Sequence, residues 1–137
     1  PQALAMLGAE TGLAFVPTSD PANADLTVAF ARGSQFSGNQ AGQGGATSGG
    51  GQGRGFILLN ADSFWTKGEY AGFGRADNGM LQNGWLLIHE FMHALGFDHV
   101  DDSASVMNAT QIAGAFSAGD RAGLHSMYRD NPCPPIP

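Results

Sequence analysis

Cysteine is almost missing from this sequence. Its single thiol, Cys133, stands in the proline-rich end NPCPPIP, which excludes an internal disulfide and a cysteine-ligated zinc cluster within the chain. Cys133 reads as an exposed tail thiol or as one half of a bridge to a segment outside the chain. Charge is scarce as well: 13% of residues are charged, and six Lys and Arg against twelve Asp and Glu leave a net charge of −6. Six dispersed cations make no basic stripe for phosphates, so a nucleic-acid partner is not expected, and neither is an anionic membrane surface. No apolar run approaches the roughly twenty residues that span a bilayer. Pro1 follows no initiator methionine and opens no signal-like block, so the chain is read as processed or trimmed, with any targeting segment or propeptide outside it.

What the sequence has in quantity is small and apolar. Hydrophobic residues make up 42% and there are 21 glycines, so the surface must rely on Ser, Thr, Asn, Gln and bare backbone, a pattern suited to an exported protein. A chain of this length buries about two-thirds of its unfolded surface in one core. One domain over residues 1–130 is expected, followed by a proline-rich tail at 131–137.

Leu4, Leu7 and several alanines at helical spacing predict a helix over Gln2–Glu10, with Gly12 as its C-terminal stop. Leu26–Ala31 alternates like a strand, and Phe56–Asn60 is a short apolar run typical of a buried one. Between them, Gly33–Gly55 is rich in Gly, Ser and Gln. It is expected to be a long loop, with one short edge strand at Ala46-Thr47-Ser48. Leu81, Trp85, Ile88, Met92 and Leu95 predict a helix over Met80–Leu95, ended by Gly96. Ser117-Ala-Gly-Asp120 resembles a capping box opening a last helix, with Leu124, Met127 and Tyr128 on one face.

The stretch LLIHEFMHALGFDH, Leu86–His99, carries three of the four histidines. His89 and His93 are four apart, so a helix puts both imidazoles on one face. Gly96 can adopt the left-handed conformation that turns the chain, letting His99 return to the same point. Three histidines leave the fourth tetrahedral position of a zinc ion open, as in catalytic rather than structural sites. Glu90 is turned about a third of a revolution from His89, outside the ligand set but within reach of a metal-bound water, as a general base requires. The reaction class is metal-assisted peptide hydrolysis. A packed helix without metal is the alternative, but it would leave several buried ring nitrogens needing partners.

HEFMHALGFDH, followed by SASVMNA, resembles the extended zinc motif and methionine turn of the metzincin clan of zinc endopeptidases, and within it the matrixin branch. The likeness extends to NADLTVAF, RGFILLNAD and FSAGDRAGLHSMY. It implies an α/β (α+β) fold: a twisted mixed sheet, an active-site helix, and a C-terminal lobe with a Met-turn and final helix. It implies His89, His93 and His99 as ligands of one catalytic zinc, Glu90 as base, Met107 as apolar floor and Asp120 as support for the Met-turn. Extended polypeptide substrates would lie along the edge at Ala46, Thr47 and Ser48, with Trp85 helping to set the depth of a primed-side pocket.

The chain departs from the clan in places. Ala109 stands where astacins and serralysins have an extra tyrosine ligand. The glycine-rich loop lacks the ligands of a second, structural zinc, and its few carboxylates give little support for calcium. A strand expected before the first helix is missing. His125 reads as an ordinary helix residue, and Asp98, Asp101 and Asp102 as a solvated loop. Tyr70 and Tyr128 are candidate transition-state hydrogen-bond donors. A secreted monomeric endopeptidase is expected. The alternatives are a zinc-binding recognition module without activity, against which Glu90 weighs, and a zinc amidase acting on small molecules or cell-wall peptides.

Overall fold

In the computed structural model, residues 1–49, 52–63, 65 and 67–131 are described. Helix α1, Gln2–Thr11, runs one residue past its expected end. The Thr11 hydroxyl donates to the Leu7 carbonyl at 2.8 Å and accepts from the Leu13 N–H at 3.1 Å. Gly12 closes the helix at φ 75°, returning its N–H to the Gly8 carbonyl. Ala3 and Leu7, four apart, bury the inner face of α1.

Three strands form one mixed sheet in the order β1-β3-β2, with β1 at Leu26–Ala31, β2 at Gly42–Gly49 and β3 at Gln52–Asn60. β1 pairs with β3 in parallel, placing Val28 opposite Ile57, and β2 pairs with β3 antiparallel, placing Gly44 opposite Ile57. The sheet corrects two expectations. The stretch read as a long loop with a three-residue edge strand contains an eight-residue strand, and β3 begins at Gln52 rather than Phe56.

Glycine is a poor strand former, so composition concealed β2. Its glycines have a packing role. A Cβ on Gly44 would come 2.1 Å from the Glu90 carbonyl oxygen, and one on Gly42 would come 3.1 Å from Glu90 Cγ. Absence of side chains is what lets the strand lie directly on the helix beneath it.

That helix, α2, spans Asn83–Ala94. It starts later than the expected Met80 because Leu81 is taken up in an isolated antiparallel bridge with Arg75. Its buried residues occur on nearly every side, including Trp85, Ile88, His89, Glu90, Phe91 and Met92. Such a helix is central rather than amphipathic, covered by the sheet on one side and the C-terminal lobe on the other. Ile88 and Met92 join Leu7, Ile57, Met107 and Leu124 in the core.

Helix α3, Ala118–Leu124, begins with the expected capping box: the Ser117 hydroxyl accepts from the Asp120 N–H and the Asp120 carboxylate from the Ser117 N–H. It widens into a π-turn at His125–Arg129. This turn separates residues expected to share a face: Leu124 is fully buried, whereas Met127 is 47% exposed. Arg121 and His125 both contact Glu10, at 3.0 and 2.9 Å, and tie the C-terminal helix to α1.

The outer edge of β1 pairs with no strand among the described residues. Exposed Val28 and Phe30 lie on this strand, and a groove of about 1030 Å³ runs between it and the Phe15–Pro17 segment. No helix among the described residues is long and apolar enough to cross a membrane. Cys133 and the rest of the expected tail beyond Asn131 lie outside the described residues.

Candidate metal centre

The three histidines meet as their spacing requires. His89 and His93 project from successive turns of α2, and a Schellman motif then ends the helix: Gly96, at φ 98°, donates to the His93 carbonyl and Phe97 to the Met92 carbonyl. The reversed chain brings His99 back. The Nε2 atoms of the three rings lie 3.1, 3.1 and 3.2 Å from one another. Tetrahedral zinc with nitrogen bonds of about 2.0–2.1 Å needs ligand atoms roughly 3.3 Å apart, close to this spacing.

Hydrogen bonding behind the rings fixes which nitrogens face the shared point. His89 Nδ1 donates to the Val106 carbonyl and His93 Nδ1 to the Phe97 carbonyl, each at 2.7 Å. A carbonyl only accepts, so both protons sit on Nδ1 and both Nε2 atoms present lone pairs. Lone pairs converging at 3.1 Å repel unless a cation or a proton lies between them, and a zinc ion fits that demand. Burial also keeps the rings neutral, holding His89 down to about 4 and His93 below its usual value. Among the described residues, this is the one group of three metal-ligating side chains whose donor atoms converge. His89 is buried and His99 exposed, so the centre opens on the His99 side.

Glu90 is 5% exposed beneath β2. Burial raises its carboxyl from 4.5 to about 7, against the opposing effect of a hydrogen bond from the Gly44 backbone N–H. A group near neutrality can both take and return a proton at ordinary pH.

The Met-turn is held by α3. The Asp120 carboxylate accepts from the Ser105 hydroxyl, from the Val106 N–H at 3.0 Å and from the Ser117 N–H at 2.8 Å. Ser105 Oγ in turn accepts from the Met107 N–H at 2.9 Å. Met107 is 2% exposed. Because Val106 supplies the acceptor for His89, this network links Asp120 to a ligand that it does not touch.

Trp85, one turn before His89, is 6% exposed and packed edge-on between Phe73 and Phe116, with its indole N–H on the Phe73 carbonyl at 3.0 Å. Ala46 lies exposed on β2, and the backbones of Thr47 and Ser48 continue the same strand. The two candidate tyrosines are placed elsewhere: the Tyr70 hydroxyl accepts from Asn78, and that of Tyr128 donates to the Leu95 carbonyl. Asp98, Asp101 and Asp102 are exposed, with Asp102 accepting from the Ala104 N–H. Sequence reasoning missed Ser105, Val106, Phe97, Gly42 and Gly44. Four of these act through backbone groups or through lack of a side chain, and only Ser105 carried a signal in its position beside the methionine.

A mixed sheet over a central helix, three converging imidazoles and an adjacent buried glutamate define a zinc-dependent endopeptidase of the metzincin clan. The family model described as Matrixin matches residues 1–129, and the chain belongs to that family. No curated protein matches the chain.

The buried ionisable groups set the pH dependence of the metal-free protein. His89 titrates near 6.5 unfolded and about 4 folded, so between those values the unfolded chain binds more protons and stability rises with pH. His93 is shifted in the same direction. Glu90 titrates near 4.5 unfolded and about 7 folded, so over that window stability falls as pH rises. Between about pH 4.5 and 6.5 the opposing His89 and Glu90 effects nearly cancel, so the lowered His93 tilts stability upward with pH, and above that range Glu90 acts alone. Calorimetry of chelated protein from about pH 4 to 8 should therefore give its highest Tm near pH 6.5. A Tm still climbing at pH 8 would contradict the buried Glu90.

Proposed function

We propose that this matrixin acts outside the cell as a monomer, with residues 1–130 as its catalytic unit, and cuts extended polypeptides laid along the outer edge of β2. One observation carries this reading. Asn60 donates to the Ala41 carbonyl across the β2–β3 ladder, so antiparallel alternation turns the backbone groups of Gly42, Gly44 and Ala46 to the open edge. Glu90 already engages Gly44 there. A strand added at Ala46, Thr47 and Ser48 would gain main-chain hydrogen bonds and run past Glu90 toward the histidines.

Zinc held by His89, His93 and His99 would supply Lewis acidity, polarising the scissile carbonyl and acidifying water. A Glu90 carboxylate oxygen takes the proton as the water oxygen attacks the carbonyl carbon. The same carboxyl returns it to the amide nitrogen as the C–N bond breaks, releasing an acid and an amine. Gly96 and Met107 shape the centre, and Asp120 supports it through the Met-turn. Trp85, enclosed by Phe73 and Phe116, supports a shallow primed-side pocket taking small or medium apolar residues.

Digestion of casein and of a peptide library, with cut sites mapped by mass spectrometry, tests the reading. Internal cuts before small or medium apolar residues are expected. Cuts dominated by bulky aromatics would overturn the pocket, and cleavage confined to short cell-wall peptides would favour an amidase.

A further inference from the structure

The carbonyls at the end of a helix need partners from outside it. In α2 the Schellman bonds serve Met92 and His93 but do not reach Leu95, the residue before Gly96. The Tyr128 hydroxyl, thirty-three residues away and in the π-turn, donates to that carbonyl. The same lobe closes on the turn at two further points. A Cβ on Gly123 would come 2.9 Å from the Phe97 ring, and one on Gly96 would come 3.8 Å from the Met127 methyl. Phe97 in turn provides the carbonyl that orients His93, and His99 follows two residues later.

From this chain of contacts we propose that Tyr128 is a positioning residue for the zinc centre: its hydroxyl anchors the Leu95–Phe97 turn, and the turn sets both His93 and His99. The proposal rests on the zinc centre but assigns a role to a residue remote from the metal. The π-turn is part of the device, because it sets the register that brings Tyr128 to the end of α2. Outer-shell partners of metal ligands commonly alter affinity by about 10–100-fold when removed, and Tyr128 acts one step further out, at the low end of that range.

Tyr128→Phe deletes only the hydroxyl. Its zinc affinity, measured by competition with a chromophoric chelator, should weaken about ten-fold, with a changed visible spectrum of the cobalt-substituted protein and a lower kcat at nearly constant KM. Glu10→Gln is the control, because it loosens the contacts of Arg121 and His125 that hold the same C-terminal helix to α1. It should lower the Tm and leave the zinc affinity and the cobalt spectrum in place. If Tyr128→Phe behaves like Glu10→Gln, losing Tm with zinc affinity and spectrum unchanged, the positioning role is overturned. Parent protein titrated alongside separates this result from failure of the centre itself, which would show as no stoichiometric zinc binding in any variant.

Discussion

Glu90→Gln should bind one equivalent of zinc and lose peptidase activity by a factor of about 100 to 10,000, which is about 3–5 kcal/mol of transition-state stabilisation. Glutamine keeps the size of the buried side chain under Gly42 and keeps an acceptor for the Gly44 N–H. It cannot take a proton from water at neutral pH. The three histidines are untouched, so zinc content measured with kinetics separates loss of the base from loss of the metal. The expected loss falls on kcat, and parent-like cleavage by the variant would remove Glu90 from the mechanism.

The second large effect is structural. Asp120→Ala should cost about 3–5 kcal/mol, a fall in Tm of roughly 10–20 °C, because it leaves three donors at the Met-turn and the start of α3 without their acceptor. Those donors are the Ser105 hydroxyl and the N–H groups of Val106 and Ser117. The surviving folded protein should also bind zinc more weakly, since Val106 holds the His89 tautomer. Asp120→Asn should fall between the two proteins, as an amide replaces one acceptor oxygen with a donor. Denaturant unfolding of the zinc-loaded and chelated forms measures both effects, and a loss under 1 kcal/mol in Asp120→Ala would show the network to be dispensable.

The zinc centre was legible because its information is local. His89 and His93 sit at the helical repeat, and Gly96 marks the one backbone conformation that lets His99 return. The capping box at Ser117 was legible for the same reason, since both partners lie within one turn. β2 was hidden because its glycines answer to a neighbour far away in sequence, the backbone of α2 around Glu90. The start of α2 was misplaced because Leu81 continues the apolar period of the helix while its backbone pairs with Arg75. The tautomers of His89 and His93 depend on the carbonyls of Val106 and Phe97, which every residue type carries and no side chain announces.

Stepwise return of zinc to the chelated protein, with casein cleavage and bound metal followed together, tests the zinc-peptidase centre most directly. Activity should vanish on chelation and return in proportion to zinc, saturating at one equivalent, while the folded state persists throughout. Cleavage that survives complete removal of the metal would contradict it.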